Sequence, residues 1–70
     1  MSSTITTQFG ERLRLLRKEQ NMSQEKLGLK ANLHRTYIGM IERGEKNITL
    51  VNIQKLAAAL DISIKDMLDF

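Results

Sequence analysis

The sequence predicts an all-α fold of five short helices in a single domain. Three observations carry that expectation. The 70 residues contain no proline and only one tyrosine and two phenylalanines, while Leu, Ile, Lys, Glu and Arg are abundant. Apolar residues recur three and four positions apart in separate runs, the period of a helix with one buried face. Residues that start and stop helices stand between the runs: Ser23, Thr49 and Ser63 before them, Asn21 and Gly44 after them.

The first helix is expected from about Thr7 to Gln20, with Phe9, Leu13 and Leu16 inward and Arg12, Arg14, Lys18 and Glu19 on the wet side. Residues 1–6 are expected to be flexible. Asn21 tolerates a left-handed backbone and can end this helix. The second helix runs from Gln24 to Lys30 behind the cap Ser23. Met22 before the cap can pack on Leu27, and Glu25 in the first turn favours the helix dipole. Ala31-Asn32-Leu33 forms a turn with positive φ expected at Asn32.

The third helix spans Arg35 to Arg43. Ile38 and Ile41 face inward with Leu33, while Arg35, Thr36, Gly39, Met40 and Arg43 fall on the opposite side. Gly44 stops it, and Glu45 to Ile48 reads as a polar loop. Thr49 caps the fourth helix, whose apolar stripe is Leu50, Ile53, Leu56, Ala57 and Leu60. Asp61-Ile62 turns the chain. Ser63, with Asp66 three residues on, opens a short fifth helix in which Ile64, Met67, Leu68 and Phe70 are too apolar for a solvated tail.

Composition excludes several functions. Without cysteine and with one histidine, His34, the chain offers neither disulfides nor a metal site. It has no Ser-His-Asp set and no glycine-rich phosphate loop, so no enzymatic inventory and no cofactor is expected. No apolar run approaches the ~18 residues of a membrane span, and MSSTITTQFG lacks the pattern of a signal peptide; a cytoplasmic protein without membrane contact is expected. So small a domain leaves no room for a small-molecule ligand site, and it is marginal in stability. The net charge is +3. It is unevenly spread: Met1 to Asn47 holds nine Lys/Arg against five Asp/Glu (+4), Ile48 to Phe70 two against three (−1).

The basic part contains the two short helices joined by the three-residue turn. So brief a connection makes them cross steeply and presents the start of the second of the pair outward. Arg35 in that first turn opposes the helix dipole, a cost that a phosphate or guanine would offset; its alternative is an ordinary solvated arginine. Thr36 suits a base or methyl contact, or merely helps the cap. Met40 suits a thymine methyl, or fills a gap in the core. Gln24, Arg43 and Lys46 suit phosphate contacts, against the plainer reading of surface polar groups. Tyr37 divides between a half-buried ring and a hydroxyl that reaches outward.

The residues Arg17, Ser23-Gln24, Leu27, Leu33, Tyr37-Ile38, Ile41-Glu42-Arg43-Gly44 and Leu56 to Ile62 resemble the Xre/Cro-type helix-turn-helix family, over about Phe9 to Leu68. The run HRTYIGMIERGEKNITLVNIQKLAAAL is especially similar to controller proteins of restriction–modification systems. The resemblance implies a five-helix, lambda-repressor-like domain with helices 2 and 3 as its helix-turn-helix. It implies a homodimeric transcriptional regulator of double-stranded DNA. Gln24 would lie at the phosphate backbone and brace the reading helix. Arg35, Thr36 and Met40 would face bases; Tyr37, Arg43 and Asn47 would approach phosphates. Arg17 and Glu42 would form a structural ion pair. The fifth helix, with Ile64, Met67, Leu68 and Phe70, would form the dimer interface.

Three departures from the family pattern stand out: Gly28 in place of alanine, Asn32 in place of glycine, and His34 at the N-cap of the reading helix. Gly39 leaves the groove-facing side short of a side chain. Activation, as opposed to repression, would need RNA polymerase as a partner, and no patch for it stands out. The competing class is a protein-interaction module, such as a helix-turn-helix antitoxin or an adaptor.

Overall fold

The computed structural model describes residues 4–70. Five helices follow one another: α1 (Thr4–Glu19), α2 (Gln24–Ala31), α3 (Arg35–Glu42), α4 (Leu50–Leu60) and α5 (Ile64–Met67). No strand occurs among the described residues. The expected all-α architecture is therefore the observed one. Helix α1 starts at Thr4, three residues before the expected Thr7. Of the segment expected to be flexible, residues 4–6 are helical and residues 1–3 lie outside the described ones. The reason is tertiary: Thr7 lies against Gly44, so the loop after α3 backs the first turn of α1.

The ends of the helices follow from local chemistry. Ser23 Oγ accepts from the Lys26 amide at 3.0 Å, Thr49 Oγ1 from Asn52 at 3.1 Å and Ser63 Oγ from Asp66 at 3.0 Å. Each satisfies one amide that the helix cannot. Asn21, Asn32 and Asp61 adopt left-handed φ values of 57°, 58° and 57°, where a short polar side chain is tolerated best after glycine. Gly44, at φ 77°, reverses the chain after α3.

Helices α1, α2, α4 and α5 surround the inner face of α3 or one another, with α2 packed on both α3 and α4 and α1 on both α3 and α5. The core comprises Phe9, Leu13 and Leu16 of α1, Met22, Leu27 and Ala31, Ile38 and Ile41 of α3, Ile53, Leu56, Ala57 and Leu60 of α4, and Met67. Two expectations need correction. Leu50 does not join the α4 stripe; at the helix's first residue it is 77% exposed, and Ile48, expected in a polar loop, packs against the core. Met67 is fully buried within the protomer and has no surface to offer a dimer.

Two glycines set the distances between helices. A Cβ at Gly10 would fall on the carbonyl oxygens of Ile41 and Glu42, so α1 and the end of α3 touch through backbone. A Cβ at Gly28 would fall on the Leu33 carbonyl oxygen, which places the close approach at the turn before α3. Replacing Gly10 by Ala would gain about 1 kcal/mol of helix propensity. Overpacking against rigid backbone costs about 1–3 kcal/mol, and here it includes crowding two carbonyl oxygens, so the penalty wins. Gly10→Ala is expected to lower the urea midpoint; a midpoint equal to or above wild type would refute the contact.

Candidate nucleic-acid interface

The turn between α2 and α3 is short and fully bonded. The Leu33 amide donates to the Gly28 carbonyl at 2.8 Å, and Asn32 supplies the left-handed residue between the helices. His34 caps α3 despite its unusual identity: its Nδ1 accepts from the Thr36 amide at 3.0 Å. That bond requires the tautomer with its proton on Nε2. One free amide in the first turn of α3 is thereby satisfied.

Behind α3 lies the expected ion pair. Arg17 donates from Nε and Nη2 to the two oxygens of Glu42, at 2.7 and 2.9 Å, and from Nη1 to the Met22 carbonyl at 2.8 Å. The two side chains are only 9% and 4% exposed. The hydrogen bond to Glu42 raises the guanidinium pKa above its ordinary value, the carboxylate charge adds to this, and burial opposes it. A raised arginine pKa contributes stability that disappears only above the unfolded-state value, far into alkali. The Arg17 guanidinium therefore stays protonated throughout the neutral range. Gln24 joins it, donating Nε2 to Glu42 Oε1 at 3.1 Å. One residue from each of α1, α2 and α3 meets at one carboxylate.

The outer face carries the remaining sequence candidates. Arg35 and Thr36 are exposed at the start of α3, and Met40 is half-buried one turn on. Arg43, Lys46 and Asn47 are exposed after the helix. Tyr37 is half-buried against the core, and its hydroxyl accepts from Asn52 Nδ2 at 3.1 Å. Gly39 is buried beneath Gln24 and the guanidinium of Arg43, at the floor of a groove that it lines with them. Arg14, Lys18 and Arg43 border one groove with Gln24 and Glu42, which extends the basic surface from α3 onto α1.

Several contributors had no local signal. Arg35 Nη1 donates to Glu25 Oε2 at 3.1 Å, and Arg43 donates to both oxygens of Glu45, at 2.9 and 3.3 Å. Glu25 thus gives Arg35 an anionic partner within the protein, in an exposed pair that contributes little to folding. The Arg43 guanidinium holds the Glu45 carboxyl below its ordinary range, so it stays ionised beside Arg43 at neutral pH. Glu25–Arg35 bridges two helices, and Asn52–Tyr37 joins α4 to α3; such pairs are invisible until the helices are packed.

The helix-turn-helix family model matches residues 13–67, which covers the ion pair, both helices of the reading head and α4. This chain belongs to the Xre-type helix-turn-helix family. It is 49% identical to the control protein C.BamHI of Bacillus amyloliquefaciens over 71 aligned positions, covering 100% of this chain and 88% of that protein. It is 41% identical to the control protein C.MunI of Mycoplasma sp., covering 90% and 86%. Its fold matches the crystal structure of the restriction-modification controller protein C.AhdI from Aeromonas hydrophila with a TM-score of 0.87 and 48% identity, over 89% of this chain and 94% of that one. The relatives are transcriptional regulators and not enzymes, and this helix-turn-helix transcription regulator is grouped with them.

The regulator has a second exposed surface away from the basic face. Ile64, Leu68 and Phe70 are 39%, 41% and 47% exposed. Leu68 and Phe70 border a cleft of about 200 Å³ that Ile5, Phe9, Ile48 and Ile53 also line, with Lys46 and Asn47 at one side. Among the described residues no His/Cys/Asp/Glu cluster could hold a metal ion, and no helix is long and apolar enough to cross a membrane.

Removing one partner of a buried ion pair leaves the other charge unmatched, at a cost of about 3–5 kcal/mol. Glu42→Gln is expected near the lower end, about 3 kcal/mol, because the pair borders a solvated groove. A urea titration checks this. A loss under about 1 kcal/mol, the value of a surface pair, would show that the network does not hold α3.

Proposed function

We propose that the regulator binds a pseudo-palindromic DNA operator as a homodimer, in the manner of a restriction–modification controller protein. One observation carries the reading: Arg35 and Thr36 stand exposed at the start of a helix anchored from behind by the Arg17–Glu42–Gln24 network. Phosphate contacts position such a head and the start of the reading helix selects bases. In this reading Arg43, Lys46 and Asn47 approach phosphates, together with Gln24 and the Tyr37 hydroxyl. Arg14 and Lys18, along the same groove, add to the attraction for the backbone. Arg35, Thr36 and Met40 face base edges. Two-fold symmetry sets the two reading helices about 34 Å apart, one turn of duplex.

Ile64, Leu68 and Phe70 form the subunit interface in this reading, with Met67 supporting them from the core. Dimerisation then couples operator occupancy to the regulator's own concentration, in the cytoplasm where the chromosome lies. The similarity to C.BamHI, C.MunI and C.AhdI supports the controller assignment. Contact with RNA polymerase belongs to the same reading where the regulator activates.

Arg35→Ala is expected to cost about 1–3 kcal/mol on the operator and to relax preference at one base pair. Gel shifts on operator and scrambled duplexes at two salt concentrations measure it. Equal losses on both duplexes would assign Arg35 to the backbone, and the absence of any salt-sensitive retardation in wild type would favour a protein-interaction module. Phe70→Ala is expected to weaken the dimer, seen by sedimentation at low concentration; an unaltered profile would move the interface elsewhere.

A further inference from the structure

We infer that Glu25 is a positioning residue for Arg35 and thereby determines how sharply the reading helix discriminates between bases. The inference rests on the base-reading role proposed for Arg35.

Arg17, Arg35 and Arg43 each meet a carboxylate, but they use different edges of the guanidinium. Arg17 gives its Nε–Nη2 edge to Glu42, at 2.7 and 2.9 Å. Arg43 gives the same edge to Glu45, at 2.9 and 3.3 Å. Arg35 donates Nη1 alone to Glu25 Oε2, at 3.1 Å. Its Nε–Nη2 edge makes no hydrogen bond among the described residues. That edge is a planar pair of donors, the arrangement that matches O6 and N7 of guanine.

The backbone brings the two residues together. A Cβ at Gly28 would lie 3.4 Å from the Arg35 amide nitrogen and 3.6 Å from its Cα, so the first turn of α3 rests directly against α2. Glu25, one turn earlier on α2, is thereby set beside the arginine. A carboxylate on Nη1 limits the rotamers of a long side chain before DNA arrives. The ordering cost of a two-bond base contact falls accordingly.

Glu25 also brings a negative charge toward a polyanion. That repulsion acts on every duplex alike and is screened within about 8 Å at physiological salt. Charge and positioning therefore separate experimentally: charge changes affinity for all DNA, whereas positioning changes the ratio between sequences. Glutamine removes the charge but keeps an oxygen able to accept from Nη1. Alanine removes both.

The test uses the full chain, a duplex selected from a random pool by the wild-type protein, and a scrambled duplex of equal length. Affinities are measured at one salt concentration for Glu25→Ala, Glu25→Gln, Arg35→Ala and the Glu25→Ala/Arg35→Ala double variant. Both Glu25 variants should bind the scrambled duplex more tightly and by similar factors. The selected-to-scrambled ratio should fall about tenfold in Glu25→Ala and clearly less in Glu25→Gln. In the Arg35→Ala background, Glu25→Ala should leave the ratio unchanged, because its effect passes through the arginine. A ratio unaltered by Glu25→Ala, or an equal fall when Arg35 is already absent, overturns the inference. A wild-type protein that selects no sequence at all removes the base-reading role itself, a result distinguishable from both.

Discussion

The buried carboxylate of Glu42 is the point on which the reading head depends. An eight-residue helix has little stability of its own in water, so α3 takes its orientation from what it packs against. Glu42 receives Arg17 from α1 and Gln24 from α2, while Ile38 and Ile41 enter the core on the same side. The backbone approach at Gly10 closes the remaining gap to α1. Because these inward contacts hold the helix, Arg35 and Thr36 on its outer side stay out of the core.

The same economy shapes the electrostatics. The basic part of the chain carries only a modest excess of charge, and two of its exposed arginines already face carboxylates. Exposed pairs of this kind contribute little to folding. Their consequence lies in binding: a cation must share or surrender a protein partner before it meets DNA. Arg43 has its planar edge occupied, whereas Arg35 keeps that edge open. Two arginines of equal charge are therefore unequal in the donors they leave open for the proposed DNA contacts, and the difference follows from which nitrogen the neighbouring carboxylate takes.

A domain this small cannot enclose all its apolar residues. Met67 completes the protomer's core and anchors α5. Ile64, Leu68 and Phe70 on and beyond that helix remain partly exposed, and Leu68 and Phe70 border the cleft toward α1. The terminal helix thus has an inner side that closes the fold and an outer side available for a second subunit, which ties the stability of the monomer to the surface on which assembly is proposed to occur.

Much of this was legible in one dimension. Helical periodicity and the caps at Ser23, Thr49 and Ser63 depend on neighbours three or four residues away, so the sequence alone determined the five helices, their order and the left-handed turn at Asn32. The pairing of Arg17 with Glu42 was reachable only through family resemblance, since 25 residues separate them. The tertiary structure decided what depends on distances between helices. It buried Gly39 and Met67, exposed Leu50, started α1 at Thr4, tied Tyr37 to Asn52 and set Glu25 beside Arg35. Burial and pairing are properties of the packed assembly: a helix face becomes inside or outside, and a charge matched or open, only when a neighbouring helix arrives at a particular separation and angle.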